Sequence, residues 1–236
     1  MFDAFEEVIA AFSQRRDGNM SLNYGDASSS LENRNRFLNK LKIDQASLVC
    51  AKQIHSSGIV YVKQEDRGKG ALSYETAIDA TDAFITDKKR IALSVFTADC
   101  LSVFLYDPEH PAIGLVHAGW RSTSEYIVKN AVKAMQKDFF TNPEKLKASF
   151  GPAIRSCCYE VEEKLNRYFP SGLVKREGRY YLDIAGVNKA QLLEAGVREY
   201  NITDCAICIS CQNREFFSFR KEGKSSGRMI SVIMLK

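Results

Sequence analysis

Histidine is scarce in this chain. Three occur in 236 residues: His55, His110 and His117. A multicopper centre needs roughly ten imidazoles, so that architecture is excluded. No apolar run approaches the ~20 residues of a membrane span, so no membrane partner is expected. Lys and Arg residues are dispersed around a net charge of +4. No basic run offers a nucleic-acid stripe. Internal repeats and low-complexity linkers are also missing. The start, Met1-Phe2-Asp3-Ala4-Phe5-Glu6-Glu7, is acidic and lacks the basic region of a secretory signal. A cytoplasmic location is therefore expected, with the seven cysteines reduced and no structural disulfide.

What is present is the make-up of a soluble globular protein, with 45% hydrophobic and 26% charged residues. The length suits one large domain or two small ones. Short apolar, partly β-branched runs at 91–96, 102–106 and 112–116 read as buried strands. Further strands are expected at 47–53, 59–62, 82–86, 146–150, 179–182, 206–209, 216–220 and 229–234. Phe5, Val8, Ile9 and Phe12 fall at helical spacing, which taken alone points to an amphipathic helix. Ser28 to Ser30 can cap a helix whose apolar side is Leu31, Phe37, Leu38 and Leu41. Ser122 or Thr123 can cap another, carrying Ile127, Ala131, Ala134 and Met135. Val161, Leu165, Tyr168 and Phe169 make a helical stripe stopped by Pro170. Asp183 opens a helix through Glu194, with Gly196 as its stop. Helices and strands are interspersed without a βαβα period, so the fold class is α+β with mixed sheets.

Reactive residues break out at the strand ends: Asp99, Cys100, His117 and Arg121. A thiol and an imidazole at the mouth of a sheet serve as metal ligands or as a nucleophile–base pair. The plain alternative is a Cys acting as a small hydrophobe beside a hydrogen-bonded core His. One site of two His and one Cys can be built, from His55, Cys100 and His117. Three protein ligands with an open fourth position are the pattern of catalytic zinc. His110 sits in the turn Asp107-Pro108-Glu109-His110-Pro111 and reads as exposed. A second thiol group is Cys205-x-x-Cys208-x-x-Cys211, whose spacing is that of an iron–sulfur run. The fourth Cys is missing, with Glu215 in its place, and no nearby His completes a zinc finger. Reduced core or edge thiols are the expectation there. Cys157 and Cys158 are adjacent, expected to point in different directions and to be poor joint ligands.

Thr97-Ala98-Asp99-Cys100 followed by His117-Ala118-Gly119-Trp120-Arg121 resembles the YfiH-like family, also called the laccase-domain or polyphenol-oxidase family. The resemblance covers nearly the whole chain. Ser21-Leu22-Asn23-Tyr24-Gly25-Asp26, Glu32-Asn33-Arg34 and Gln53-Ile54-His55 match upstream. Gly151-Pro152-Ala153-Ile154, Cys158-Tyr159-Glu160-Val161, Phe216-Phe217-Ser218-Phe219-Arg220 and Gly227-Arg228 match downstream. The resemblance implies a single layered α-β-β-α domain over residues 1–236, in which residues 9–14 form a strand, not a helix. It assigns His55, Cys100 and His117 to zinc, with copper as the alternative metal. It implies a purine nucleoside phosphorylase, acting on adenosine, inosine, guanosine or S-methyl-5'-thioadenosine with phosphate, that also deaminates adenosine.

Within that chemistry, Asp99 reads as a general base, or as a carboxylate behind a metal ligand; the plain alternative is a turn cap. In deamination a carboxylate moves the protons, although the His-x-Glu and Pro-Cys-x-x-Cys signature of nucleobase deaminases is missing. Arg121 is placed for an anion at a helix start. Arg15, Arg34, Arg220 and Arg228 are further cationic candidates. Asn23 and Gln53 can hydrogen-bond a base or ribose, and Phe216, Phe217 or Trp120 can stack on a purine. A monomer or weak homodimer is expected. Three rivals stand beside this reading: a cysteine hydrolase or deamidase using Cys100 and His117, a copper-dependent phenol oxidase, and a non-catalytic zinc or partner-binding module.

Overall fold

A computed structural model describes residues 5–236, so the first four residues of the acidic start lie outside the described residues. In chain order the elements are β1 (Val8–Phe12), α1 (Ala27–Lys40), β2 (Leu48–Val49), β3 (Ile59–Tyr61), β4 (Ala83–Thr86), β5 (Ala92–Thr97), β6 (Leu101–Asp107) and β7 (Ala112–Ala118). They continue as α2 (Trp120–Ser124), α3 (Ile127–Phe139), β8 (Lys147–Phe150), β9 (Glu160–Val161), β10 (Leu173–Arg176), β11 (Arg179–Leu182), α4 (Ile184–Glu194), β12 (Ile202–Asp204), α5 (Phe219–Glu222) and β13 (Met229–Leu235).

The strands build a four-stranded sheet in the order β1-β13-β5-β2 and a six-stranded sheet in the order β12-β8-β6-β7-β4-β3. A small third sheet runs β10-β11-β9. The central strands are apolar on both faces because both faces are buried. In β6, Leu101, Val103 and Leu105 pack toward α3, while Phe104 and Tyr106 face the four-stranded sheet. Leu93, Val95, Leu115 and Ile233 fill the same space between the sheets. Ile127, Val128, Ala131, Val132 and Met135 of α3 close the outer side of the six-stranded sheet. Each large apolar side chain so buried contributes roughly 1.5–3 kcal/mol. On the other side, Phe37 and Leu38 of α1 pack on Ile230 and Val232. The layers are therefore α-β-β-α, as expected. Among the described residues, no helix is long and apolar enough to cross a membrane.

Sheet pairing overrides the helical spacing at the start of the chain. Val8 to Phe12 pair antiparallel with Leu235 to Ser231, so the segment is a strand. The cap of α1 is Asp26, whose Oδ2 accepts the Ser29 N–H at 2.7 Å, instead of one of the serines. The helix expected after His117 is two helices. Gly119 opens α2, and the hydroxyl of Ser122 donates back to the His117 and Gly119 carbonyls at 3.1 Å. Tyr126, at φ +60°, then breaks the chain before α3. Residues 206–209 and 216–220 are not strands. The sixth strand comes earlier, as β12 parallel to β8, and Phe219–Glu222 is helical. The stripe at 161–169 becomes β9 and a 3-10 turn over Glu163–Arg167, with Leu165 and Phe169 still buried against Leu182. The strand expected at 47–53 shortens to Leu48–Val49, and the chain beyond it wraps around a carboxylate described below.

Candidate active site and metal centre

The register of β6 on β7 sets the centre. Leu101 pairs with Ala118 and Ser102 with His117, which puts Cys100 beside the end of β7. His55 arrives from the loop after β2 with its backbone at φ +61°, a left-handed conformation uncommon for a side-chain-bearing residue. One ligand atom each from His55, Cys100 and His117 lie within 4.8 Å of one another. The two imidazoles meet edge-on with centroids 4.8 Å apart. Gly119 makes the approach possible. A Cβ there would stand 2.9 Å from His55 Cδ2 and 3.3 Å from Cys100 Sγ. Gly119→Ala should therefore push His55 out of line and lower metal affinity at least tenfold while leaving the fold intact. Competitive chelator titration tests this, and unchanged affinity would refute it.

The residue that organises the centre is Asp82, fully buried just before β4. Its carboxylate accepts the backbone N–H groups of Ile54, His55 and Ser56 at 3.2, 3.0 and 2.7 Å, and the Ser56 hydroxyl at 3.0 Å. It also sits 2.8 Å from His117 Nδ1. One carboxylate thus shapes the loop that carries His55 and fixes the ring of His117, leaving His117 Nε2 for the centre. Carboxylate–histidine pairs of this kind hold metal-ligating imidazoles in one orientation. Burial pushes the Asp82 carboxyl up, but the hydrogen bond and charge of His117 outweigh it and hold it below the usual carboxylate range. Its sequence signal was a single acidic residue opening an apolar strand, which reads locally as a cap.

Cys100 and His117 perturb each other strongly. Burial pushes the Cys100 thiol up, yet the charge and hydrogen bond of His117 pull it down to about 6. Burial pushes His117 down, yet the Cys100 charge and Asp82 raise it to about 9. Between those values the metal-free protein holds a thiolate–imidazolium pair. The ultraviolet thiolate absorbance lost in Cys100→Ser should accordingly disappear in the metal-free wild type only as pH falls through about 6. A midpoint at the ordinary thiol value would contradict this.

Above the three ligand residues opens a cavity of about 390 Å³, a volume within the range of small-molecule sites. Asn23, Arg34, Gln53, Asp99 and Arg121 all line it. The Asp99 carboxylate reaches neither histidine. At φ +97°, Asp99 accepts the Ser218 hydroxyl at 2.7 Å and the Arg220 N–H at 2.6 Å, and burial raises its carboxyl above the usual range. Asp82, not Asp99, is the carboxylate hydrogen-bonded to a candidate ligand, His117.

Gln53 spends both ends of its amide on the Phe96 backbone, at 3.0 and 2.7 Å. Arg34 is buried and donates to the carbonyls of Met20, Gly70 and Ala71. Both residues therefore brace the cavity wall with the donors that the sequence offered to a substrate. Asn23 stands exposed at the rim. Arg121 stacks on Trp120 at 4.5 Å and makes no ion pair among the described residues. Arg220, over Tyr159, and Arg228, over Tyr24, complete a cationic lining. Arg15 lies elsewhere, paired with Glu222. Phe216 is in the core, and the aromatic lining of the cavity is Tyr24, Tyr74, Phe96, Trp120, Tyr159 and Phe219. His110 is half exposed, 3.6 Å from Asp107.

The second thiol group departs from its expectation. Cys157, Cys158, Cys208 and Cys211 converge, with their sulfurs within 4.8 Å of one another, while Cys205 stays outside. Cys157 and Cys158 are adjacent yet reach the same point, because the turn at 155–158 curls both toward Cys211 at 3.6 and 3.3 Å.

A family model described as multi-copper polyphenol oxidoreductase laccase matches residues 10–236. The chain is 31% identical over 249 residues to purine nucleoside phosphorylase YlmD of Bacillus subtilis (strain 168), covering 98% of this chain and 90% of that protein. It is 31% identical to adenosine deaminase RL5 from an unknown prokaryotic organism, covering 89% of this chain and 84% of that protein. The crystal structure of Bacillus licheniformis hypothetical protein YfiH superimposes with a TM-score of 0.94 at 33% identity, covering 97% of this chain and 93% of that one. On a match that spans both main sheets and includes His55, Cys100 and His117, the chain belongs to the YfiH-like family, whose description is multi-copper polyphenol oxidoreductase laccase.

Proposed function

We propose that this chain is a purine nucleoside phosphorylase that also deaminates adenosine, and that residues 1–236 form one catalytic domain acting in the cytoplasm. The observation that carries the reading is the convergence of His55, Cys100 and His117 on the floor of a cavity rimmed by Arg121, Arg220 and Arg228. The names of the two relatives described above support it.

The donor set fits zinc. Two imidazoles and one thiolate leave a fourth position open, and Asp82 supplies the supporting carboxylate. Zinc held there supplies Lewis acidity and lowers the pKa of water. Arg121, at the start of α2, and the guanidinium groups of Arg220 and Arg228 bind and orient phosphate. Trp120, Tyr159 and Phe219 hold the flat purine and exclude water. Burial raises the affinity of the Asp99 carboxyl for a proton, which suits it to carry one during the reaction. It delivers that proton to the departing purine in phosphorolysis, or to the departing amine in deamination. Guanosine, inosine and S-methyl-5'-thioadenosine share the ribose-bound purine this arrangement takes.

A second reading has its own observation. Cys100, His117 and Asp82 form a nucleophile–base–orienter sequence, which suits a cysteine hydrolase. Chromatography of products from adenosine, with and without phosphate, on metal-quantified protein separates the two. Phosphate-dependent adenine, or phosphate-independent inosine, should appear and be lost in His117→Ala. Asp99→Asn should lower turnover about 10²–10⁴-fold with metal retained. Absence of product from zinc-loaded protein on adenosine, inosine and S-methyl-5'-thioadenosine would overturn the purine reading. Alkylation of Cys100 that zinc fails to prevent would then favour the hydrolase, and copper-dependent oxygen uptake the phenol oxidase.

A further inference from the structure

Four cysteines from two distant stretches meet on the surface beside the cavity wall. Cys157 and Cys158 come from the loop after β8, and Cys208 and Cys211 from the loop after β12. We propose that Cys157, Cys158, Cys208 and Cys211 form a second metal site, a tetrahedral four-thiolate zinc centre with a structural role, separate from the three-ligand centre.

Spacing is the first argument. A zinc–sulfur bond of about 2.3 Å places tetrahedral sulfurs about 3.8 Å apart. Here Cys211 lies 3.6 Å from Cys157 and 3.3 Å from Cys158, and no pair of the four exceeds 4.8 Å. An iron–sulfur cubane needs iron and sulfide between its thiolates and would hold them further apart.

The second argument is the scaffold. Cys208-x-x-Cys211 is a turn in which the Gln212 N–H bonds the Cys208 carbonyl at 3.0 Å. The Cys208 sulfur accepts the backbone N–H groups of Cys211 and Arg155, the donors a thiolate ligand needs. The two loops are already joined. Ala153 bridges to Cys208, and the Arg155 guanidinium forks onto Asp204 with two bonds of 2.7 Å. The thiols are thus held in place without metal, at a donor set that closes all four positions. Closed four-sulfur sites are structural.

Binding breaks four S–H bonds, forms four Zn–S bonds and releases four protons to solvent. The centre then carries two negative charges, and no electron moves. The clasp sits behind the active cavity. Tyr159 directly follows Cys158, and Ile154 of the same loop donates to the Asp99 carbonyl at 2.8 Å.

The test is metal stoichiometry under reducing conditions. Wild-type chain grown with zinc and dialysed should retain about two zinc equivalents, and Cys208→Ser with Cys211→Ser should retain about one. The variant His55→Ala, Cys100→Ala, His117→Ala, loaded with Co²⁺, should hold about one equivalent. It should show the strong thiolate-to-cobalt absorption of four sulfur ligands, lost on adding Cys208→Ser and Cys211→Ser. At most one equivalent in the wild type, unchanged by the two serine substitutions, would overturn the proposal. So would stoichiometric iron and sulfide, or metal-free protein whose four thiols are paired as disulfides. Since the three-residue variant lacks the first centre, its cobalt reading stands or falls apart from the purine assay.

Discussion

Asp82→Ala is expected to empty the three-ligand centre and to destabilise the protein by about 3–5 kcal/mol, the usual cost of removing one partner from a buried charged pair. The carboxylate is fully buried, and five donors point at it: three backbone N–H groups, one hydroxyl and His117. Alanine leaves all five without an acceptor. Asp82→Asn is the milder change, keeping the shape but turning an NH2 group toward N–H donors. It should cost about 10–100-fold in metal affinity. The effect also depends on pH. The folded carboxyl lies below its unfolded value, so its stabilisation is present above the ordinary carboxylate range and is lost as pH falls through the folded value. Chelator competition and denaturant titration of both variants decide the matter. Metal affinity within threefold of wild type in Asp82→Asn would show that the carboxylate supports the loop and not the ligands.

Arg34→Lys should be nearly as damaging, though the charge is kept. The side chain is 2% exposed, and no carboxylate pairs with it among the described residues. Instead its Nε and Nη1 bond three carbonyls from two loops, and its plane lies 4.6 Å from the centre of the Phe96 ring. A lysine ammonium cannot reproduce that fork or the stacking. Each buried carbonyl left without a donor costs roughly 1–3 kcal/mol, so a loss of about 3–5 kcal/mol is expected from equilibrium denaturation. A loss below about 1 kcal/mol would mean that the loops relax around the change. Activity per folded molecule distinguishes bracing from substrate contact. A bracing residue changes the folded fraction, whereas a contact residue raises KM in the molecules that remain folded.

Much of this site is legible in the sequence because its candidate ligands are rare residues at strand ends. Cys100 and His117 stand out from apolar runs, and their pairing follows from two adjacent antiparallel strands. The central strands are legible for the same reason, as each is apolar through its length. Asp82 is not legible, since its five donors come from residues 26 to 35 positions away in the chain. The thiol clasp is hidden likewise, because its halves are some fifty residues apart and one half breaks the expected ligand spacing. Arg34 and Gln53 were visible as polar residues in matching motifs, but only the fold shows that backbone groups occupy them. Around residue 126 the apolar period continues across a left-handed residue, so periodicity alone joined two helices.

The centre also ties two layers together. His55 follows the strand at the edge of the four-stranded sheet, while Cys100 and His117 stand at the open end of the β6–β7 hairpin in the six-stranded one. Metal held there would act as a rivet through the sandwich, and its removal should be felt far from the cavity. Amide protons of β2 and β5 would lose protection from deuterium exchange together with those of β6 and β7. The lifetime of the folded chain would then track the supply of metal as much as the quality of its apolar packing.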